Sequence, residues 1–304
     1  MLSKLKRALE HLLVAGGVTD MAHRFGRSRR LILAYHNVTP HGATSAGETS
    51  LHVGQAAFAE QLESLAQVAR VVELDRILDP APGRDRAIHV AITFDDAYRG
   101  AVTAGVEELV QRALPATIFA APALLGDRPM WWDALAQAGG GQIPPDVRQE
   151  ALDSCAGRKH EVLRWADSHG FRLADMPPHA RTATESELQR AVCLPGISVG
   201  SHSWSHPNLS RLDAASLAEE LTRSKSWLES RYASFVPWLA YPYGVSSAAA
   251  ERAAEAAGYV GAVRMDGGPL RAGGILRYRL PRLNVPAGLS SNGFRLRLAG
   301  IRCR

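Results

Sequence analysis

Along the chain, short apolar runs rich in β-branched residues alternate with longer stretches whose apolar positions recur at helical spacing. Leu31-Ile32-Leu33-Ala34-Tyr35, Val71-Val72-Glu73-Leu74, Ile88 to Phe94, Ala116 to Ala120, Gly196 to Gly200, Pro237 to Tyr241 and Tyr259 to Val263 read as strands, with the last ones supplied by Arg279 to Val285. Between them, Ala56 to Ala69 aligns Phe58, Leu62 and Leu65, and Ala214 to Arg231 aligns Leu217, Leu221 and Leu228. Val102 to Arg112 and Ser246 to Ala257 read as further helices, the latter stopped by Gly258. Regular alternation of strand and helix predicts a parallel α/β arrangement. With 304 residues to fill it, the expected fold is a distorted (β/α) barrel of seven or so parallel strands.

The alternation loosens from about 126 to 194. Met130-Trp131-Trp132-Asp133 opens that stretch, Gly139-Gly140-Gly141 and Pro144-Pro145 punctuate it, and Val147 to Ser168 and Thr184 to Val192 look helical. It is too short to bury much core of its own and reads as one helical insertion. The paired tryptophans are expected to anchor packing ahead of stacking on a ligand. The domain expectation is a basic helical segment over 1–30, a barrel over 31–290 and a basic, uninformative tail over 291–304.

Composition narrows the function classes. A net charge of +5, spread along the chain, is too small to argue for nucleic-acid binding and suits an anionic surface or polymer. Cys155, Cys193 and Cys303 form no paired spacing and fit a reducing compartment. In the first 30 residues the apolar run Leu12-Leu13-Val14-Ala15 is shorter than a signal peptide or a membrane span requires. The expectation is a cytoplasmic protein whose first helix is exposed and packs on the barrel. Weak peripheral contact of that basic segment with an anionic inner leaflet is the second reading.

The candidate chemistry sits at predicted strand ends. The Ile88 strand finishes in Asp95-Asp96, and a parallel barrel delivers its catalytic groups to that edge. Two adjacent carboxylates call for a cation. His202 and His206 follow another strand, at a spacing that would let both imidazoles grip one ion if they shared a helical turn. One carboxylate and two imidazoles leave a coordination position for water, and the other carboxylate is then placed as a base.

Thr93-Phe94-Asp95-Asp96, then His202-Ser203-Trp204-Ser205-His206-Pro207 with Leu209, then Tyr241-Pro242-Tyr243-Gly244 resemble three successive motifs of the polysaccharide deacetylases, carbohydrate esterase family 4. Tyr35-His36-Asn37-Val38 resembles the branch that deacetylates poly-N-acetylglucosamine, and the resemblance runs from about Leu31 to Val285. It implies a metal-dependent hydrolase that removes N-acetyl groups from a sugar or polysaccharide. It further implies Asp96, His202 and His206 as ligands of a divalent ion (zinc first, cobalt or nickel as alternatives), Asp95 as general base, and the Tyr243 backbone N–H as an oxyanion donor. The family's late Leu-x-His motif is missing, because no histidine follows His206, and Ala240 stands where the third motif carries arginine. His36 is therefore the expected proton donor, and Arg282 the expected replacement for the missing positive charge beside Asp95. A non-catalytic glycan-binding barrel and, behind it, a glycosidase are the competing readings. His89, His160, His169 and His179 have no spacing that recommends them.

Overall fold

A computed structural model describes residues 2–19, 29–79, 87–270 and 276–301; Arg24, Arg27 and Cys303 lie outside them. The sheet contains β1 (Arg30–Tyr35), β4 (Ala69–Val71), β5 (Ile88–Phe94), β6 (Ala116–Ala120), β7 (Ile197–Ser201), β8 (Phe235–Ala240), β9 (Gly261–Arg264), β10 (Leu280–Pro281) and β11 (Leu283–Asn284). Two short strands, β2 (Asn37–Thr39) and β3 (His52–Gly54), pair with each other outside it. Eight strands run in the order β10-β9-β8-β7-β6-β5-β1-β11, every neighbour parallel, while β4 adds to the side of β5. The parallel α/β barrel is thus as expected, with more strands than the apolar runs suggested.

The two ends of that path, β10 and β11, are separated in the chain by Arg282 alone. The barrel nearly closes at this residue: its backbone N–H donates to the Arg264 carbonyl, and the Val285 N–H donates to the Ala34 carbonyl. Arg279 to Val285 therefore forms two-residue strands on either side of a seam, not one continuous run. Side chains alternate across the wall, as strand geometry demands. Ile32, Ala91, Phe119, Trp238, Ala240 and Val263 fill the barrel interior, while Leu31, Leu33, Val90, Ile92 and Phe94 face the helical layer. Strands covered on both faces are apolar nearly throughout, which is why β1, β5 and β6 read so clearly.

Helix α2 (Gln55–Val68), counting α1 (Leu2–Ala15) as the first, buries Phe58, Leu62 and Leu65; Phe58 meets Tyr35 and Phe94 edge-on at 5.1 and 5.6 Å. The expected strand at Val71 to Leu74 begins earlier and ends at Val71. The chain then turns through a short 3-10 segment so that Leu74 and Ile77 pack into the barrel interior. After α3 (Val106–Gln111) come the insertion helices α4 (Trp131–Ala138), α5 (Pro145–Ser154), α6 (Lys159–Ser168) and α7 (Glu185–Val192). The single helix expected over Val147 to Ser168 is two. Ala156 and Gly157 both adopt positive φ, 48° and 64°, and a side chain on Gly157 would meet the Tyr243 ring at 2.5 Å.

Helices α8 (Ala214–Arg231) and α9 (Ala248–Ala256) cover β8 and β9 through Leu217, Leu221, Ala250 and Ala254. The tail dismissed as uninformative forms α10 (Ser291–Leu298), capped by Ser290, with Phe294, Leu296 and Leu298 fully buried or nearly so. Its arginines masked a three-residue apolar face that becomes visible only when the helix has a core to lie against.

Candidate active site

Strand β5 ends at Phe94, and the backbone then twists sharply. Asp96 and Ala97 take left-handed conformations, φ 68° and 47°, which non-glycine residues adopt at a cost. The twist overrides the strand rule that would point neighbours apart, so Asp95 and Asp96 both face the same cavity. The Asp95 N–H donates to the Tyr35 carbonyl at 2.9 Å, anchoring the turn to β1.

His202 follows β7, its N–H donating to Ala120 O and its Nδ1 lying 2.7 Å from Ala240 O. The segment from His202 to His206 is not the helical turn that its spacing suggested. It is a loop in which Ser203 and His206 have φ of 62°, and the Ser203 hydroxyl accepts the His206 N–H at 3.0 Å. Glu220 of α8 holds this loop, accepting the Trp204 and Ser205 N–H groups at 2.9 Å each and the Ser205 hydroxyl.

These loops bring Asp96 Oδ1 to 3.5 Å from His202 Nε2 and 3.2 Å from His206 Nε2, with the two imidazole nitrogens 3.2 Å apart. Ligands about 2.0–2.1 Å from a tetrahedral zinc stand roughly 3.3–3.4 Å from one another, so the spacing suits such an ion. The chemistry of the donors agrees. Asp96 Oδ1 is buried without a hydrogen-bond partner, and the Ala240 carbonyl takes the His202 Nδ1 proton, leaving a lone pair on Nε2 toward the cluster. Burial, the largest influence, pushes His202 down to about 4, which leaves it neutral as a ligand must be. Among the described residues this is the one trio of side chains that could hold a metal.

Asp95 lies beside the trio, 4.0 Å from His202 Nε2, and engages Arg282 through two parallel bonds of 2.7 Å. Arg282 is fully buried. It also donates to Thr93 Oγ1 and to the Arg264 carbonyl and lies over the Phe119 ring, so all parts of its planar fork are used. Burial alone would raise the Asp95 carboxyl, but the Arg282 charge, then His202 and the Arg282 hydrogen bonds, hold it well below the usual carboxylate range. His36 stands across from it, Nε2 4.0 Å from Asp95 Oδ2. Burial lowers the His36 pKa, although Asp95 and Asp96 pull the other way. Tyr243 is the fifth left-handed residue around this site, φ 59° and ψ 8°. Its ring lies 4.8 Å from that of His206, and its hydroxyl donates to the Gly157 carbonyl at 2.9 Å, which explains the break between α5 and α6. The structure therefore gathers His36, Asp95, Asp96, His202, His206 and Tyr243 around one cavity of about 470 Å³, with Arg282 directly behind Asp95. His89, His160, His169 and His179 do not line it.

The tryptophans are packing anchors, 3% and 4% exposed, as expected, but Trp132 also walls the cavity with its ring 5.1 Å from His206. Sequence reasoning missed what holds it there. Asp133, fully buried, accepts from the Glu48 N–H and the Tyr98 hydroxyl and lies 2.9 Å from His52 Nε2, while Trp132 Nε1 donates to Tyr98 at 2.8 Å. Asn37 completes the chain at His52 Nδ1, 2.9 Å away. The signal available was Asp133 itself, a carboxylate directly after two tryptophans on an apolar helical stretch. Glu48 and Arg148, paired at 3.2 Å, line the opposite rim.

Comparison with known proteins places this geometry. Residues 83–262, more than half of the chain, match the sequence profile of the polysaccharide deacetylase family. Similar folds include the Streptococcus pyogenes deacetylase PplD, solved with acetate (TM-score 0.60, 16% identity, 88% of this chain and 96% of that one). IcaB from Ammonifex degensii (0.59, 18%, 90% and 98%) and a de-N-acetylase from Aggregatibacter actinomycetemcomitans (0.57, 16%, 84% and 94%) are also similar. At these identities the likeness is one of fold. No curated protein matches the chain in sequence.

Proposed function

This chain belongs to the polysaccharide deacetylase family, and from that membership and the site's geometry we propose that it is a metal-dependent hydrolase that removes N-acetyl groups from a carbohydrate. The observation that carries the proposal is the convergence of Asp96, His202 and His206, their donor atoms within 4.8 Å of one another, beside a carboxylate that is not needed as a ligand. A divalent ion held there supplies an acidified water and a polarised acetyl carbonyl. Zinc suits the imidazole-rich set, with cobalt or nickel as alternatives.

The chain's own residues divide the remaining work. Asp95 accepts the proton of the attacking water. Because Arg282 keeps that carboxylate anionic and weakly basic, it suits only a water whose proton is already loosened, as next to a cation. Arg282 also fixes both Asp95 oxygens, which sets the direction from which the proton is taken. As water adds to the acetyl carbon, negative charge grows on the carbonyl oxygen, and the Tyr243 N–H is the backbone donor assigned to it. The left-handed conformation of Tyr243 sets the direction of that N–H. Breakdown of the tetrahedral species severs the C–N bond, and the leaving nitrogen takes a proton through His36, which stands within 4.0 Å of Asp95. Acetate and a free amine result. The cavity volume lies in the range of small-ligand sites and accommodates a sugar unit. The likeness of Tyr35-His36-Asn37-Val38 to the poly-N-acetylglucosamine branch favours an N-acetylglucosamine-containing substrate.

Asp95→Asn tests the assignment. The variant is expected to bind zinc as the parent does and to release acetate from N-acetylglucosamine oligomers about 10²–10⁴-fold more slowly. Undiminished acetate release would remove Asp95 from the reaction. Retained glycan affinity in a parent protein without turnover would indicate a binding barrel instead.

A further inference from the structure

Helix α1 turns its apolar side away from the protein. Leu5, Leu9 and Leu12 are 72%, 51% and 67% exposed, and their spacing puts them on one stripe. Among the described residues of this helix, the buried one is charged. Glu10 is 4% exposed and accepts the Ser290 hydroxyl at the start of α10 at 2.5 Å. Of the nine large hydrophobic residues exposed among the described residues, three lie on this one helix, including the two most exposed. Scattered exposed leucines need no explanation, but an aligned stripe opposite a docked carboxylate calls for something to cover it.

Charge decides between the occupants. Lys6 and Arg7 are exposed, Lys6 about a quarter-turn from the stripe, and Glu10, the helix's one acidic residue, is turned inward. The charge that the helix shows to solvent is therefore cationic. A second copy would bring two such cationic helices together, whereas an anionic lipid surface accepts both the leucines and the charges. We propose that α1 seats this protein on an anionic phospholipid surface, lying in the interface plane with Leu5, Leu9 and Leu12 immersed. Its 14 residues give a contact roughly 21 Å long.

The position of the helix gives the seat a use. Lys6 also lines a second cavity of about 500 Å³, together with Arg29, Arg297 and Asp266, and this cavity shares Met265 and Asn284 with the active-site cavity. A protein seated on α1 presents that shared wall next to the lipid headgroups, where a membrane-borne phosphorylated glycan would approach. This route rests on the deacetylase reading; the seat itself does not.

The test is cosedimentation of the full chain with phosphatidylcholine vesicles, with and without phosphatidylglycerol, at low salt. Binding is expected to the anionic vesicles and not to pure phosphatidylcholine. Lys6→Gln with Arg7→Gln is expected to weaken it about thirtyfold, at about fivefold per cation, and Leu5→Ser with Leu9→Ser and Leu12→Ser to abolish it. The leucine variant should retain its melting temperature and its acetate release from water-soluble N-acetylglucosamine oligomers. No vesicle binding, equal binding to both vesicle types, or undiminished binding by the leucine variant would overturn the proposal. So would a dimer in size-exclusion chromatography that the leucine variant converts to monomer. Vesicle binding by a protein that releases no acetate from any N-acetylated sugar would support the seat and reject the deacetylase reading, so the two fail separately.

Discussion

Arg282 and Asp95 form a buried ion pair whose two members are not equally expendable. Removing Arg282 leaves a fully buried carboxylate without its charge partner, a change that costs about 3–5 kcal/mol in such pairs, whereas replacing both members costs far less. Arg282→Met is accordingly expected to lower stability by that amount, and Asp95→Asn in the same chain to restore most of it, as read from denaturant unfolding. Equal stability of Arg282→Met and the parent would mean that the pair contributes no net stability. At this scale the sequence revealed the groups that carry unusual chemistry at strand ends: Asp95, Asp96, His202, His206 and, less directly, His36 and Arg282. It did not reveal the groups that hold them. His52 and Asp133 are 81 positions apart and meet only in the fold, and Glu220 reaches the loop of His202 and His206 from the middle of α8. Such partners leave no local pattern.

Elements were legible where an apolar face was continuous and obscured where backbone strain or charge interrupted it. The five left-handed residues around the site, Asp96, Ala97, Ser203, His206 and Tyr243, cannot be inferred from side-chain type, so the loop carrying the two histidines read as a helical turn. Helix α7 lies where the sequence reads as helical, and its start is chemically marked. Thr184 and Glu187 form a reciprocal cap, and Arg99, at the start of the helical stretch that follows β5, joins Glu187 at 2.9 Å. This cap ties the insertion to the catalytic edge and has a pH signature. Burial works to raise the Glu187 carboxyl, but the Thr184 N–H and Arg99 hold it below the ordinary carboxylate range. A carboxylate depressed in the folded state adds stability above its unfolded pKa of about 4.3, and that stability is lost as pH falls through the lower folded value. The stability gap between the parent and Glu187→Gln, about 1 kcal/mol at neutral pH for a cap of this kind, should therefore close below about pH 4. A gap that is constant from neutral to acid pH would show that the carboxylate charge is irrelevant to the cap.

For the whole molecule, alternation of strands and helices was enough to predict a parallel barrel, because strands covered on both faces cannot be polar. The closure was not predictable in the same way. Arg279 to Val285 was legible as strand, but its division into two strands of two residues each was not, and that division places Arg282 at the seam, directly behind Asp95. The residue at the seam thus also orients the proposed base, and the charged tail as α10 and the first helix as α1 pack together outside the barrel. The proposed activity rests on the cation cluster that this wall supports. Zinc titrated calorimetrically into chelator-stripped protein, with acetate release from N-acetylglucosamine oligomers followed in parallel, tests it most directly. Stoichiometric binding that restores activity in the parent, and that Asp96→Ala loses along with the activity, is the expected result. Full activity in the stripped protein, or tight binding undisturbed by Asp96→Ala, would contradict it.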